Sequence, residues 1–248
     1  MFHLLTHSSG LPAWAPLYRE VDDRAAFRRR ILAMELEYEP GTRSIYSDLA
    51  FFLLGEILES LAGETLDAFA ARRILGPLGM TETGFLPDAS LRSRIAPTER
   101  DPWRGRVLHG EVHDENAFFL GGVAANAGLF GTAPDVAVFA QTMLNGGTYA
   151  GVRIVSPESI RTFTRSAGIP ESTRALGWDT PGDNSAGRRF SLRSFGHTGF
   201  TGTSLWIDPE RQLFLILLTN RVHPHRENLL IRKVRPALAD LVVEGLGE

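Results

Sequence analysis

At 248 residues, with 43% apolar and 22% charged side chains, the chain is long enough for one large domain and apolar enough to bury a core. A formal net charge of −3 gives no electrostatic footprint for nucleic acid, and the lack of cysteine excludes disulfides and thiolate chemistry. No run approaches the roughly 18 apolar residues of a membrane span, and Met1-Phe2-His3 offers no basic n-region of a secretory leader.

In chain order, residues 22 to 34 (DDRAAFRRRILAM) predict a helix with an Asp cap and apolar positions Ala26, Phe27, Ile31 and Leu32. Arg28-Arg29-Arg30 reads as its solvated face. Glu39-Pro40-Gly41-Thr42 is a turn. LAFFLLGEILESLAG then places Leu49, Phe52, Leu53, Ile57 and Leu61 at helical spacing, stops at Gly63, and is expected to be deeply buried in its first turns. Thr65 caps LDAFAARRIL, which ends in GPLGM. From 85 to 125, glycine, proline and charge without periodicity predict long loops with short strands. Thr132-Ala133-Pro134-Asp135 is a capping box ahead of DVAVFAQTMLN, and Ser156-Pro157-Glu158 opens another helix the same way. Ser204 to Ile207 and Leu213 to Thr219 read as strands joined by the turn Asp208-Pro209-Glu210-Arg211. LFLILLT is almost continuously apolar, which places it in the middle of a sheet. A final helix is expected from about Arg226 to Val243, its stripe of Leu230, Val234, Leu238 and Leu241 covering that sheet. The pattern is mixed α/β of the α+β type, a single domain over 1–248. Helices dominate about 1–165, and an antiparallel sheet with a covering helix occupies about 175–248.

Several catalytic signatures do not occur: there is no G-x-S-x-G, no P-loop and no Rossmann glycine fingerprint. His109-Gly110-Glu111-Val112-His113 spaces two histidines four apart, but its Glu is misplaced for H-E-x-x-H and Gly110 weakens a helix there. A polar loop near a cleft explains that stretch better than a metal hydrolase does. Tyr46-Ser47-Asp48 stands between a Pro-Gly turn and the buried helix. Tyr46 is a proton acceptor if positive neighbours lower its pKa from about 10, whereas in isolation Ser47 or Asp48 is simply a helix cap. Gly196-His197-Thr198-Gly199-Phe200-Thr201-Gly202-Thr203 leads into a strand. Its glycines allow a backbone to approach a ligand and present an N–H to an oxyanion; in isolation it is a glycine-rich hairpin corner.

In fixed order, THSSGLP, PGTRSIYSD before a buried helix and GPLGM, and GHTGFTGT entering a strand strongly resemble the serine β-lactamase-related superfamily. Its members are class C β-lactamases, D-alanyl-D-alanine carboxypeptidases of the penicillin-binding-protein type, and esterases of the same fold. GEVHDENAFFLGGVAANAGLFGTAPDVAVFAQTMLNGG and SLWIDPERQLFLILLTNRVHP resemble its serine hydrolase branch, and the likeness runs from residue 2 to about 243. It implies a β-lactamase/transpeptidase-like fold. The implied reaction is hydrolysis of an ester, a D-amino peptide or a β-lactam through an acyl-enzyme, with no cofactor and no metal.

That family combines S-x-x-K, a tyrosine motif and a K-T-G or H-T-G string. The resemblance implies Tyr46 as general base and later acid, His197 in the lysine's place, and Ser47, Asp48, Thr198, Gly199 and Phe200 on the substrate side. The N–H of Phe200 is the implied oxyanion donor. S-x-x-K has no match: 25 of the 26 basic residues are arginine, and the sole lysine, Lys233, follows Leu230 by three. The expectation is therefore a chain that starts inside a domain, an N-terminally truncated hydrolase that is inactive as written. A non-catalytic relative acting as a binding or regulatory module is the alternative. An imidazole of ordinary pKa, about 6.5, holds a carboxylate less strongly than lysine, which favours ester or peptide substrates over β-lactams. Asp48, where many relatives have Asn, is expected to help a protonated His197. The expected partner is a small-molecule or peptide substrate, not nucleic acid. The compartment is cytoplasmic by default and periplasmic or secreted if a leader lies upstream; oligomeric state stays open.

Overall fold

The structure is a computed structural model and describes residues 1–182 and 185–247. Its helices are α1 (Phe2–Leu5), α2 (Arg24–Leu32), α3 (Asp48–Ala62), α4 (Leu66–Ala70), α5 (Glu115–Phe119), α6 (Ala133–Leu144), α7 (Pro157–Thr164) and α8 (Ile231–Gly245). Two-residue strands β1 (Gly84–Phe85), β2 (Arg100–Asp101), β3 (Arg106–Val107), β4 (Leu129–Phe130), β5 (Thr148–Tyr149) and β6 (Val152–Arg153) form small antiparallel ladders. The longer strands β7 (Phe195–Thr198), β8 (Ser204–Asp208) and β9 (Leu213–Leu217) form an antiparallel sheet in that order. This is the mixed α+β class that the residue pattern predicts.

Local chemistry sets the helix ends. Asp23 accepts from Ala26 N at 2.6 Å to cap α2, and Ser47 accepts from Ala50 N at 3.2 Å to cap α3. α3 stops where Gly63 adopts φ 69°, a left-handed conformation that costs glycine little. Thr132 caps α6, but the expected box does not close: Asp135 instead accepts from Glu82 N and Thr83 Oγ1 at 2.8 and 2.9 Å. Thr65 heads α4 without a side-chain bond, and the helix passes into a π-helical turn at Ala71–Leu75.

Two cores follow. In the first, Phe27 and Ile31 of α2 pack against Leu49, Ala50 and Phe52 of α3, closed by Leu11, Leu17, Val112 and Ala117. Leu32 and Leu61, expected on the inner faces, are exposed. The second core is the sheet with helices on both sides. Ile207 and Phe195 pack against Ala140 and Met143 of α6, while Trp206 packs against Ala239 and Val243 of α8. Successive residues of β8 thus serve opposite faces, as the period of two requires.

Two expectations need correction here. β9 lies at an edge of the sheet and β8 in its middle. LFLILLT is apolar because both its faces are covered: Leu213 and Leu215 pack toward α8, and Phe214 packs toward α6. The final helix starts at Ile231, since Arg221 Nη1 takes the carbonyls of Arg226 and Asn228 and holds that stretch as a loop. Its inner stripe is Ile231, Ala239 and Val243; Leu230, Val234 and Leu241 face outward. Small Ala239 lets the helix close on Trp206, which the larger leucines would not.

Candidate active site

Tyr46, just before α3, and His197, in β7, are brought together with ring centroids 6.0 Å apart. Beneath them lies His7, from the THSSGLP stretch, which sequence reasoning quoted without assigning it a role. His7 sits at φ 52° and is 2% exposed, its ring 4.4 Å from Tyr46 and 4.8 Å from Phe51. Tyr38 Oη and Ile45 N both donate to its carbonyl, at 3.0 and 2.9 Å. Ser47 N donates to His7 Nδ1 at 3.0 Å, so the ring proton belongs on Nε2. Burial above all, then the positive charge of Arg174 and the competing titration of neighbouring His197, lower the His7 pKa from 6.5 to about 3. His7 is a neutral aromatic floor. Ser47 is fully buried, and its hydroxyl donates to Pro12 O at 2.7 Å besides capping α3.

On the α3 side the site is acidic. The Asp48 and Asp114 carboxylates lie close enough to the Tyr46 phenol for their charges to act on it, and Asp114 caps α5 by accepting from Ala117 N at 2.7 Å. Tyr46 is 42% exposed. Burial and then Asp48 push the Tyr46 phenol well above its ordinary value, and the opposing pull of Arg174 is weaker. The depression that positive neighbours were expected to bring is therefore outweighed. Burial also raises Asp48, and it raises Asp114 to about 6 with help from the charges of Asp48 and Glu115.

The β7 side is cationic. Arg174 reaches it because Asp179 bridges Gly196 on the outer edge of β7, with mutual N–H···O bonds of 2.8 and 2.9 Å. Arg174 Nη1 lies 3.1 Å from His197 Nε2, and its guanidinium sits over the Tyr46 ring at 5.4 Å. His197 Nδ1 lies 2.9 Å from Thr198 O. Nδ1–H therefore donates to that carbonyl, and Nε2 accepts from Arg174. Burial and Arg174 hold the His197 pKa below its ordinary value, so the imidazole is neutral and the positive charge resides on Arg174. The help expected from Asp48 toward a protonated His197 is thus overridden. Nothing local in ESTRALGWDT marks Arg174 among 25 arginines; only the fold brings it 23 positions forward in space.

Thr198 pairs with Ser204, and the turn from Gly199 to Thr203 closes through Gly199 N to Thr203 O at 2.8 Å. The Phe200 side chain is exposed and lies under the Arg221 guanidinium at 4.4 Å, beside His113 at 5.6 Å. A Cβ on Gly196 would come within 2.3 Å of Leu205 O and 2.6 Å of the Trp206 ring. At Gly196 the close approach is made by the protein's own neighbouring strand. His109 and His113 diverge: His109 Nε2 meets Ile95 O at 2.7 Å, and His113 Nε2 meets Glu99 Oε2 at 2.9 Å. Glu99 is also gripped by Arg226, which ties the loop at 99–115 to the loop before α8. Among the described residues no group of three or more His, Cys, Asp or Glu is placed to hold a metal ion.

Comparison with known proteins adds three findings. The Beta-lactamase family profile matches residues 1–239. A protein of Escherichia coli O157:H7, provisionally named D-alanyl-D-alanine carboxypeptidase, is 38% identical over 247 aligned positions, 89% of this chain and 56% of its own length. The chain thus spans about half the length of that relative. Among solved structures, a penicillin-binding protein homologue from Caulobacter crescentus superposes with a TM-score of 0.69 at 20% identity, covering 96% of this chain and 70% of that one. A hydrolase described as having promiscuous acyltransferase activity gives a TM-score of 0.65 at 22% identity, covering 94% and 71%.

Proposed function

The chain belongs to the Beta-lactamase family, and on that premise we propose that its residues build the proton-transfer and oxyanion side of a serine acyl-transfer site. The substrate class is a peptide ending in a D-amino acid, in keeping with the name of the Escherichia coli relative, or a simple ester. The observation that carries this reading is the meeting of Tyr46 and His197 at 6.0 Å, with Arg174 over the Tyr46 ring and 3.1 Å from His197 Nε2. When a serine hydroxyl attacks the carbonyl, its proton passes to the Tyr46 oxygen as the Tyr46 proton moves to the neighbouring Asp48 carboxylate. Collapse of the tetrahedral intermediate reverses that relay toward the leaving group. Neutral His197 donates no charge to substrate; a substrate carboxylate meets Arg174 instead. The oxyanion takes the N–H of Phe200, with the nucleophile's own N–H as the second donor.

Residues 1–248 contain no Ser-x-x-Lys, so they are expected to bind substrate without turning it over. The test is acyl-enzyme formation, read by mass spectrometry with a serine-reactive penicillin and a p-nitrophenyl ester. It compares the 248-residue chain with any longer product of the same reading frame that carries Ser-x-x-Lys. Labelling of the longer product alone supports the reading. Labelling of neither, with retained substrate binding, replaces it by the non-catalytic module.

A further inference from the structure

We propose that Arg235, on the inner face of α8, is a positioning residue for the oxyanion donor: its guanidinium fixes the Gly199–Phe200 peptide from behind. This rests on the acyl-transfer reading above. Arg235 stands four residues after Ile231 and four before Ala239, on the stripe that α8 turns toward the sheet. A cation is out of place there. Its Nη2 donates to Gly199 O at 2.8 Å and to Thr203 O at 2.6 Å. Gly199 O belongs to the same peptide unit as the Phe200 N–H.

Three consequences follow from that geometry. A trans peptide directs its N–H opposite to its carbonyl, so a guanidinium on Gly199 O leaves the Phe200 N–H aimed away from α8. Among the described residues that N–H has no acceptor within the protein, whereas Gly199 N, Gly202 N and Arg221 N all do. A cation on the carbonyl also polarises the amide and makes its N–H a stronger donor. Arg235 has no carboxylate within 4.0 Å among the described residues, and its buried Nε has no partner there. Burial accordingly draws its pKa down, although a guanidinium remains charged at any working pH. A neutral donor would tether the turn without that desolvation cost, so the charge itself is the feature that needs a role.

The fold supplies its own control. Arg221 Nε donates at 2.7 Å to Phe200 O, the carbonyl of the next peptide, which does not carry the proposed oxyanion donor. A purely structural role for both arginines predicts equal losses when either is removed. A positioning role for Arg235 predicts unequal ones.

The experiment measures kcat and KM for a p-nitrophenyl ester, and affinity for a boronate that forms a tetrahedral adduct. The protein used is any longer product of the same reading frame that carries Ser-x-x-Lys, with circular dichroism and melting curves to check folding. Removing one oxyanion donor outright costs about a hundredfold to a thousandfold in kcat, so Arg235→Met is expected to lower kcat about tenfold to a hundredfold with KM within about threefold. Boronate affinity should fall in proportion, and the Phe200 amide proton should shift upfield in the NMR spectrum. Arg235→Lys should recover part of the loss, and Arg221→Met should lower kcat by no more than about threefold. Equal losses in Arg235→Met and Arg221→Met, or an Arg235→Met with unchanged kcat beside an inactive Tyr46→Phe, overturn this inference alone. A fully active Tyr46→Phe, or a parent protein without turnover, overturns the underlying reading and this inference with it. Should Arg235→Met fail to fold, Arg235→Lys and Arg221→Lys decide on the same inequality.

Discussion

The α3 wall of the site gathers Tyr46, Asp48 and Asp114, all groups whose proton affinity is raised. The β7 wall gathers Arg174 and Arg235 beside an imidazole whose proton affinity is lowered. Burial works on both, but it acts in opposite directions because it always disfavours the charged form. On carboxyls and phenols it retains the proton; on imidazoles it expels it. Burial therefore favours protonated acids on the α3 wall and neutral imidazoles on the β7 wall. Arg174 acts on both, since its charge lowers the pKa of His7 and His197 together and pulls against burial at Tyr46.

Variants test that contrast from its strongest point downward, each measured in the longer product that carries Ser-x-x-Lys. Tyr46→Phe removes the first acceptor on the acidic wall. It is expected to lower kcat on a p-nitrophenyl ester by about a hundredfold to ten-thousandfold, with KM little changed. Asp48→Asn keeps the shape but removes the second acceptor, and about a 30-fold loss of kcat is expected. Because the Asp48 charge raises the Tyr46 pKa, ultraviolet titration of that phenol should move to lower pH in this variant. An unchanged or faster kcat would break the relay. Arg174→Ala strips the cationic wall: about a tenfold rise in KM is expected for a carboxylate-bearing substrate, against little change for a neutral ester. NMR titration of His197 should shift upward, since a positive neighbour has gone.

His7→Gln leaves both walls in place and probes the floor between them. The His7 pKa is near 3 in the folded protein against 6.5 unfolded, so the unfolded chain takes up a proton first as acid is added. Its contribution is complete above pH 6.5 and is lost as pH falls toward 3. Asp114, raised from 3.8 to about 6, acts in the opposite sense between those two values. His7→Gln should cost about 1 kcal/mol at neutral pH through lost ring packing and should flatten the fall in urea midpoint between pH 6.5 and 4. A fall as steep as that of the parent would show that His7 is not held neutral.

The parts of the fold that were legible in the sequence are those decided locally. Asp23 before α2, Ser47 before α3 and Gly63 after it mark ends that need no distant partner. α8 was placed approximately, but its inner face was misread because Leu230, Val234 and Leu241 make the more apolar stripe. The face that turns inward was chosen by Trp206, 33 residues before Ala239. β9 was misread for a related reason: apolar residues on both faces signal cover by two helices and say nothing of position within a sheet. In the site, the motif positions of Tyr46 and His197 could be read, whereas Arg174 and Arg235 enter through long-range packing that leaves no short pattern. The neutral state of His7 likewise depends on burial and on an arginine 167 residues later.

Gly196 bears on how natural variation at this site should be interpreted. Its hydrogen faces Leu205 O and the indole of Trp206 at distances that a methyl group could not occupy. Replacement by alanine would push β7 off β8 and carry His197 out of register with Tyr46, so the loss would register in an activity screen as a catalytic defect. Because the tightest approach is to the Leu205 carbonyl oxygen, a backbone atom, tolerance at this position should not follow the size of the residue at 206, a neighbour whose ring is only the second obstacle. Gly196→Ala paired with Trp206→Phe should therefore recover no more activity than Gly196→Ala alone.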